Sequence, residues 1–158
     1  LVPSHNTRSL VLTLKLSFTN SMVNNTCMIL IDDSIVRGTT CNKIVKMLYE
    51  SGAKEVHVRI ACPEIKFPDF YGVDMPTKEE LLAHNKNNEE MCKEIGAKSL
   101  KFLSLKGLYM ALIGENRNNN FPQFSDHYFT GEYVIRPTDS IEGLKIKQLS
   151  LLSGKSNN

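Results

Sequence analysis

Apolar and polar positions change period several times along this chain, and each change marks an element. At residues 10–17, Leu12, Leu14 and Leu16 alternate with Thr13, Lys15 and Ser17, the two-residue period of a strand with one wet face. A polar stretch follows at residues 19–25. Residues 27–31 then form an unbroken apolar run, as expected of a strand buried on both faces of a parallel sheet. Ile44, Val45, Leu48 and Tyr49 recur at helical spacing and Gly52 offers a stop, which predicts a helix over residues 40–51. Residues 56–61 read as the next strand and complete a βαβ unit. Thr77 with Glu80 has the spacing of a capping box ahead of Leu81 and Leu82, so a short helix starts there, breaks near Asn87 and Asn88, and resumes to Gly96. Residues 100–103 predict a further strand, and Leu108, Leu112 and Ile113 a last helix ending near Gly114.

The order strand, helix, strand, helices, strand, helix is that of a doubly wound α/β domain. Three segments follow from the composition: an α/β part at residues 1–114, an extension at 115–150 and a polar tail at 151–158. Residues 116–120 are almost all asparagine and the tail has no periodicity, so a mobile connection and a disordered end are expected. With 158 residues and 41% hydrophobic content the chain is long enough for one cored domain. A net charge of +2, with no basic stripe or aromatic ladder, gives no mandate for nucleic acid or a membrane surface. Cys27, Cys41, Cys62 and Cys92 are dispersed without a C-x-x-C pair, so neither zinc nor a disulfide framework is signalled. No apolar run approaches a membrane span and no leader pattern opens the sequence, so a cytoplasmic protein is expected.

The chemistry concentrates at residues 29–40, Ile-Leu-Ile-Asp-Asp-Ser-Ile-Val-Arg-Gly-Thr-Thr. Ligands of parallel sheets bind at the carboxyl ends of strands, where Asp32 and Asp33 fall. Two carboxylates there can accept hydrogen bonds from ribose hydroxyls or help to hold a hard cation such as Mg2+. The next loop has the opposite polarity. Ser34, Thr39 and Thr40 supply hydroxyls, Gly38 permits positive φ, Arg37 adds a cation, and a helix N-terminus presents unpaired N–H groups. Ile35 and Val36 complete the loop. A lone Asp-Asp-Ser is more often a turn and a Thr-Thr a capping pair. The full order of strand, acid pair, Gly-Thr-Thr and amphipathic helix instead describes a pocket for a sugar phosphate.

This run resembles the phosphoribosyl pyrophosphate motif of type I phosphoribosyltransferases, and Val36-Arg37 within it resembles the amidophosphoribosyltransferases in particular. The likeness continues through Pro3-Ser4-His5, Arg8-Ser9-Leu10 and Lys15-Leu16, then Phe70-Tyr71-Gly72-Val73-Asp74-Met75-Pro76-Thr77 and Glu80-Leu81-Leu82-Ala83. Ile95-Gly96-Ala97, Leu103-Ser104-Leu105, Gly107-Leu108 and Tyr128-Phe129-Thr130-Gly131-Glu132-Tyr133 extend it across most of the chain.

The resemblance implies a partial doubly wound sheet of the type I phosphoribosyltransferase kind, its first half missing. It also implies that a preceding glutaminase domain is absent. The reaction it implies is displacement of diphosphate from C1 of phosphoribosyl pyrophosphate by ammonia, giving phosphoribosylamine in purine synthesis. Asp32 and Asp33 would serve the ribose hydroxyls and Mg2+, residues 34–40 the 5'-phosphate, and Asp74 the neighbourhood of the reacting centre, with Leu81 matching a residue of the ammonia path. Purine nucleotides are implied as possible ligands, and the missing half or a second copy as partner. Exposed strand edges invite such association. Arg8 and His5 carry weaker hints, while His57, His84 and His127 lack any partner pattern and read as structural. Some members hold a structural iron-sulfur cluster on cysteines. Asp69, Ser125 and Tyr128 stand at those places here, and a cluster needs thiolates, so none is expected. The alternative is a non-catalytic remnant or interaction segment that retains the motif. Val11 and Thr13, where members usually have glycine and a basic residue, lean that way.

Overall fold

A computed structural model describes residues 20–135. The strand expected at residues 10–17, the positions His5, Arg8, Val11 and Thr13, and the tail at 151–158 lie outside them. Within the expected polar stretch, residues Asn20–Val23 form a one-turn helix, α1. Its Val23 is buried at 3% exposure and its carbonyl accepts the Thr26 hydroxyl at 2.6 Å. One apolar anchor and one polar lock explain a helix that composition hides.

Three strands, β1 (Cys27–Asp32), β2 (Glu55–Ile60) and β3 (Ser99–Phe102), pair parallel in the order β1-β2-β3. Helix α2 (Thr39–Glu50) connects the first two. Gly52, at φ +94°, ends the turn beyond it, and its carbonyl takes the Asn25 amide at 2.8 Å. Between β2 and β3 come a 3-10 turn at Lys78–Glu80, then α3 (Leu82–Asn85) and α4 (Asn88–Ile95). The capping boxes Thr77/Glu80 and Asn87/Glu90 both form, and Gly96 closes α4 in the left-handed conformation. Helix α5 (Leu105–Ile113) starts on a Ser104 cap, and α6 (His127–Thr130) is a single turn.

The core lies on one face of the sheet. Val56, Val58 and Ile60 of β2 and Leu100 of β3 meet Val45 and Leu48 of α2 and Met91 and Ile95 of α4, all at most 3% exposed. Each such side chain contributes roughly 1.5–3 kcal/mol through removal from water. The other face departs from expectation. Strand β1 alternates rather than being buried on both sides, with Ile29 and Ile31 at 65% and 73% exposure. The reason is topological: β1 is an edge strand, and among the described residues nothing covers its outer face. No helix of the described residues is long and apolar enough to cross a membrane.

A second correction concerns the segment after Gly114, expected to be a mobile connection. Arg117 donates from Nε to Asp126 at 2.6 Å and from Nη2 at 3.2 Å, and Tyr109 donates its hydroxyl to the same carboxylate at 2.8 Å. Asn118 Oδ1 accepts the amides of Asn120 and Phe121. The asparagines thus close a turn around an anchored arginine. Of the residues predicted for the last helix, Leu112 and Ile113 remain exposed while Tyr109 is buried at 1%, because it is the tyrosine that turns toward Asp126.

Candidate active site

Strand β1 delivers Asp32 and Asp33 to the carboxyl end of the sheet, and the chain then loops through residues 34–38 into α2. The acids are fixed locally. Asp32 Oδ1 accepts the Asp33 amide at 3.0 Å, and Asp33 Oδ1 accepts the Ser34 hydroxyl at 3.2 Å. Among the described residues the second oxygen of each carboxylate takes no hydrogen bond. Ile35 turns its side chain into the core at 4% exposure, so its share in a site is its backbone.

Gly38 caps α2 at φ +76°, and a Cβ there would lie 2.7 Å from Leu82 Cδ2. Conformation and close approach both demand glycine. The cap makes no side-chain hydrogen bond to the helix, and α2 has no acid in its first turn. The first intrahelical-type bond runs from Asn42 N–H to Gly38 O at 2.9 Å. The amides of Thr39, Thr40 and Cys41 therefore point into an open, positively polarised end, with both threonine hydroxyls exposed beside them. Thr-Thr is not the cap of this helix, which removes the simplest alternative explanation for the pair.

A cleft of about 680 Å3 gathers these groups, walled by residues 32–41, Lys43 and Glu80. A second cavity of about 370 Å3 lies beyond β3, beside Lys101, Ser104 and Phe129, and holds none of the predicted residues. The first cleft contains every candidate of the motif run. Asp74 is exposed and does not line it. Lys43 and Glu80 were not singled out as site residues. Lys43 had a legible signal, since it stands one helical turn after Thr39 and Thr40; Glu80 read only as a cap.

Glu80 in fact has two duties. Its Oε2 accepts the Thr77 amide at 3.1 Å, and its carboxylate faces Arg37, with Nε–Oε1 3.2 Å and Nη2–Oε2 3.3 Å. The hydrogen bond from Arg37, then that from Thr77, hold its carboxyl below the usual range. Leu82 N–H donates to Val36 O at 2.9 Å, so the loop and the 80–82 turn are joined by backbone as well. Burial first, and then the Asp32 charge, push the Cys41 thiol up to about 11; burial, Asp33 and Asp32 do the same to Cys62. Both remain protonated near neutrality and serve as packing.

The positions at which the resemblance implies cluster cysteines in some members also converge. Asp69 and Ser125 meet at His127, with Nε2–Oδ1 2.8 Å and Nδ1–Oγ 3.0 Å, and the Tyr128 ring lies with its centroid 4.1 Å from that of His127. Oxygen and nitrogen groups stand at that place, the Asp69 and His127 side chains buried and Ser125 exposed. Among the described residues no group of three or more histidine, cysteine, aspartate or glutamate side chains is arranged to hold a metal.

No protein-family model matches the chain. It is 49% identical over 152 residues to the amidophosphoribosyltransferase of Rhizobium etli, covering 96% of this chain and 31% of the relative. The enzyme of that name from Methanocaldococcus jannaschii is 52% identical over 112 residues, covering 71% of this chain and 24% of the relative. The chloroplastic one of Glycine max is 42% identical over 149 residues, 94% of this chain and 25% of the relative. Among solved structures, the glutamine phosphoribosylpyrophosphate amidotransferase of B. subtilis complexed with ADP and GMP matches with a TM-score of 0.70 at 37% identity, over 90% of this chain and 31% of that one. The chain thus spans about a quarter to a third of the length of these relatives. Its parallel sheet and loop-to-helix cleft are those of a type I phosphoribosyltransferase domain, and over most of its own length the chain is similar to part of the amidophosphoribosyltransferases.

Proposed function

We propose that this chain is the phosphoribosyl pyrophosphate-binding part of an amidophosphoribosyltransferase. The observation that carries the reading is the open N-terminus of α2, capped by left-handed Gly38 and flanked by two exposed threonines, in one cleft with Asp32 and Asp33. A 5'-phosphate suits the amides of Thr39, Thr40 and Cys41 and the hydroxyls around them. The ribose hydroxyls then fall toward the carboxylates. Anchoring the non-reacting phosphate orients C1, which is how remote binding energy serves a displacement.

In the proposed reaction the ammonia nitrogen forms a bond to C1 as the bond from C1 to the diphosphate oxygen breaks, and the diphosphate carries away the electron pair. C1 gains positive charge on the way, and the carboxylates of Asp32 and Asp33 stabilise it. The two acids fit Mg2+, which takes few carboxylates and completes its shell with water and substrate phosphates; when bound it would supply charge to the leaving diphosphate. Asp74 is proposed to approach the reacting centre once the substrate and the remainder of the enzyme are in place. The exposed Ile29 and Ile31 support a further layer, the rest of the transferase sheet or a second copy, packing against β1. A purine nucleoside monophosphate shares the ribose 5-phosphate group and is proposed as a competing ligand. A cytoplasmic setting, where the free cysteines stay reduced, accompanies this reading.

Calorimetric titration with phosphoribosyl pyrophosphate, with and without Mg2+, tests the proposal. Saturable binding strengthened by Mg2+ is expected, without ammonia-dependent release of diphosphate from phosphoribosyl pyrophosphate by residues 1–158 alone. Lack of any binding would leave the motif as a structural turn.

A further inference from the structure

We propose that Arg37 is a switched phosphate ligand, held by Glu80 while the cleft is empty and transferred to the 5'-phosphate when the cleft fills. This rests on the phosphate-loop reading and adds a regulated step to it. Arg37 and Glu80 both line the cleft, so the cation the ligand would use is already engaged by an acid in the same wall. The pair is two-pronged and its members are 49% and 48% exposed. An ion pair so exposed shifts an equilibrium by no more than about fivefold. A phosphate dianion presents more charge and three acceptor oxygens, and guanidinium matches two of them at once.

The exchange needs no refolding. The Val36–Leu82 backbone bond keeps the loop docked on the 80–82 turn whichever partner Arg37 takes. Glu80 keeps its bond from the Thr77 amide, so its carboxylate does not become an orphan when Arg37 leaves. Glu80 thereby acts as a positioning residue, through Arg37. It competes with weak anions for the guanidinium, and a ligand must bring a full phosphate to win it. The consequence is discrimination against singly charged occupants of the cleft.

Glu80→Gln isolates the charge, because glutamine can still accept the Thr77 amide in a capping box. The test is titration of the protein with ribose 5-phosphate, read by phosphorus NMR at physiological ionic strength, for wild type, Glu80→Gln, Arg37→Ala and the double variant. Glu80→Gln is expected to tighten binding about three- to fivefold, the size of the lost ion pair, and to make less than a twofold difference when residue 37 is alanine. Unchanged or weaker binding by Glu80→Gln overturns the proposal. So does an equal gain in both backgrounds, which would mean that Glu80 acts by simple repulsion. If the wild type shows no saturable ribose 5-phosphate binding, the phosphate-loop reading itself has failed, an outcome distinct from the other two.

Discussion

His127 Nε2 lies 2.8 Å from Asp69 Oδ1, with the two side chains only 2% and 1% exposed, and this contact ties the segment after α5 to the loop after β2. Asp69 also accepts the amides of Val73 at 2.7 Å and Tyr71 at 2.9 Å. One carboxylate therefore organises the turn that leads to Asp74. Burial works against its charge, yet the Val73 and Tyr71 amides, His127 and Tyr128 outweigh burial and bring its pKa from an ordinary 3.8 to about 2. With Asp69 ionised, His127 Nε2 is the donor.

The pH dependence follows from that direction. A carboxyl whose pKa is depressed in the folded state stabilises the fold above its ordinary value, and that contribution is lost as pH falls through the folded one. Asp69→Asn should lower the melting temperature at neutral pH. The gap to wild type should close as pH falls from about 4 toward about 2. Thermal unfolding followed by circular dichroism across that range checks this; a gap of constant size would mean that the charge of Asp69 contributes nothing.

Gly38→Ala strikes the geometry of the loop. Alanine at φ +76°, with its Cβ 2.7 Å from Leu82 Cδ2, is strained in both backbone and contact. The expected cost is on the order of 1–3 kcal/mol of stability. Ribose 5-phosphate affinity should also fall, because relief of the strain rotates the Thr39 and Thr40 amides away. Denaturant unfolding and a titration on the same sample separate the two effects. Unaltered values in both would show that the loop tolerates a side chain.

For the acid pair, Asp32→Asn with Asp33→Asn should weaken Mg2+-dependent binding of phosphoribosyl pyrophosphate while leaving the fold in place. Neither carboxylate serves the core: their hydrogen bonds are to adjacent residues. Calorimetry with and without Mg2+ gives the answer, and wild-type affinity in the double variant would remove both acids from the site.

The local grammar of the chain was readable because it rests on short-range physics. The apolar run of β1, the helical spacing of Val45 and Leu48, and the capping pair Thr77 and Glu80 each declare themselves within one or two turns. What stayed hidden depends on distant partners. An apolar strand reads alike whether or not its outer face is covered, so the exposure of Ile29 and Ile31 could not be foreseen. The asparagine-rich turn read as mobile because its order comes from Arg117, Asp126 and Tyr109, brought together only by folding. Arg37 and Glu80 stand 43 residues apart, which is why the acid in the cleft wall escaped notice.

Thr39 and Thr40 give the most direct test of the cleft. Both are exposed at the mouth of α2, neither caps the helix, and β-branched valine has nearly the same shape. Changing both to Val should therefore leave the fold unaltered while removing two donors to a charged group. The loss should be about 1–3 kcal/mol of binding, the range for such hydrogen bonds. Ribose 5-phosphate should lose as much affinity as phosphoribosyl pyrophosphate, since both carry the same 5'-phosphate. Parallel titrations with the two ligands measure this. If only the diphosphate-bearing ligand weakens, the threonines face the opposite end of the molecule, and the assignment of the loop to the 5'-phosphate is wrong.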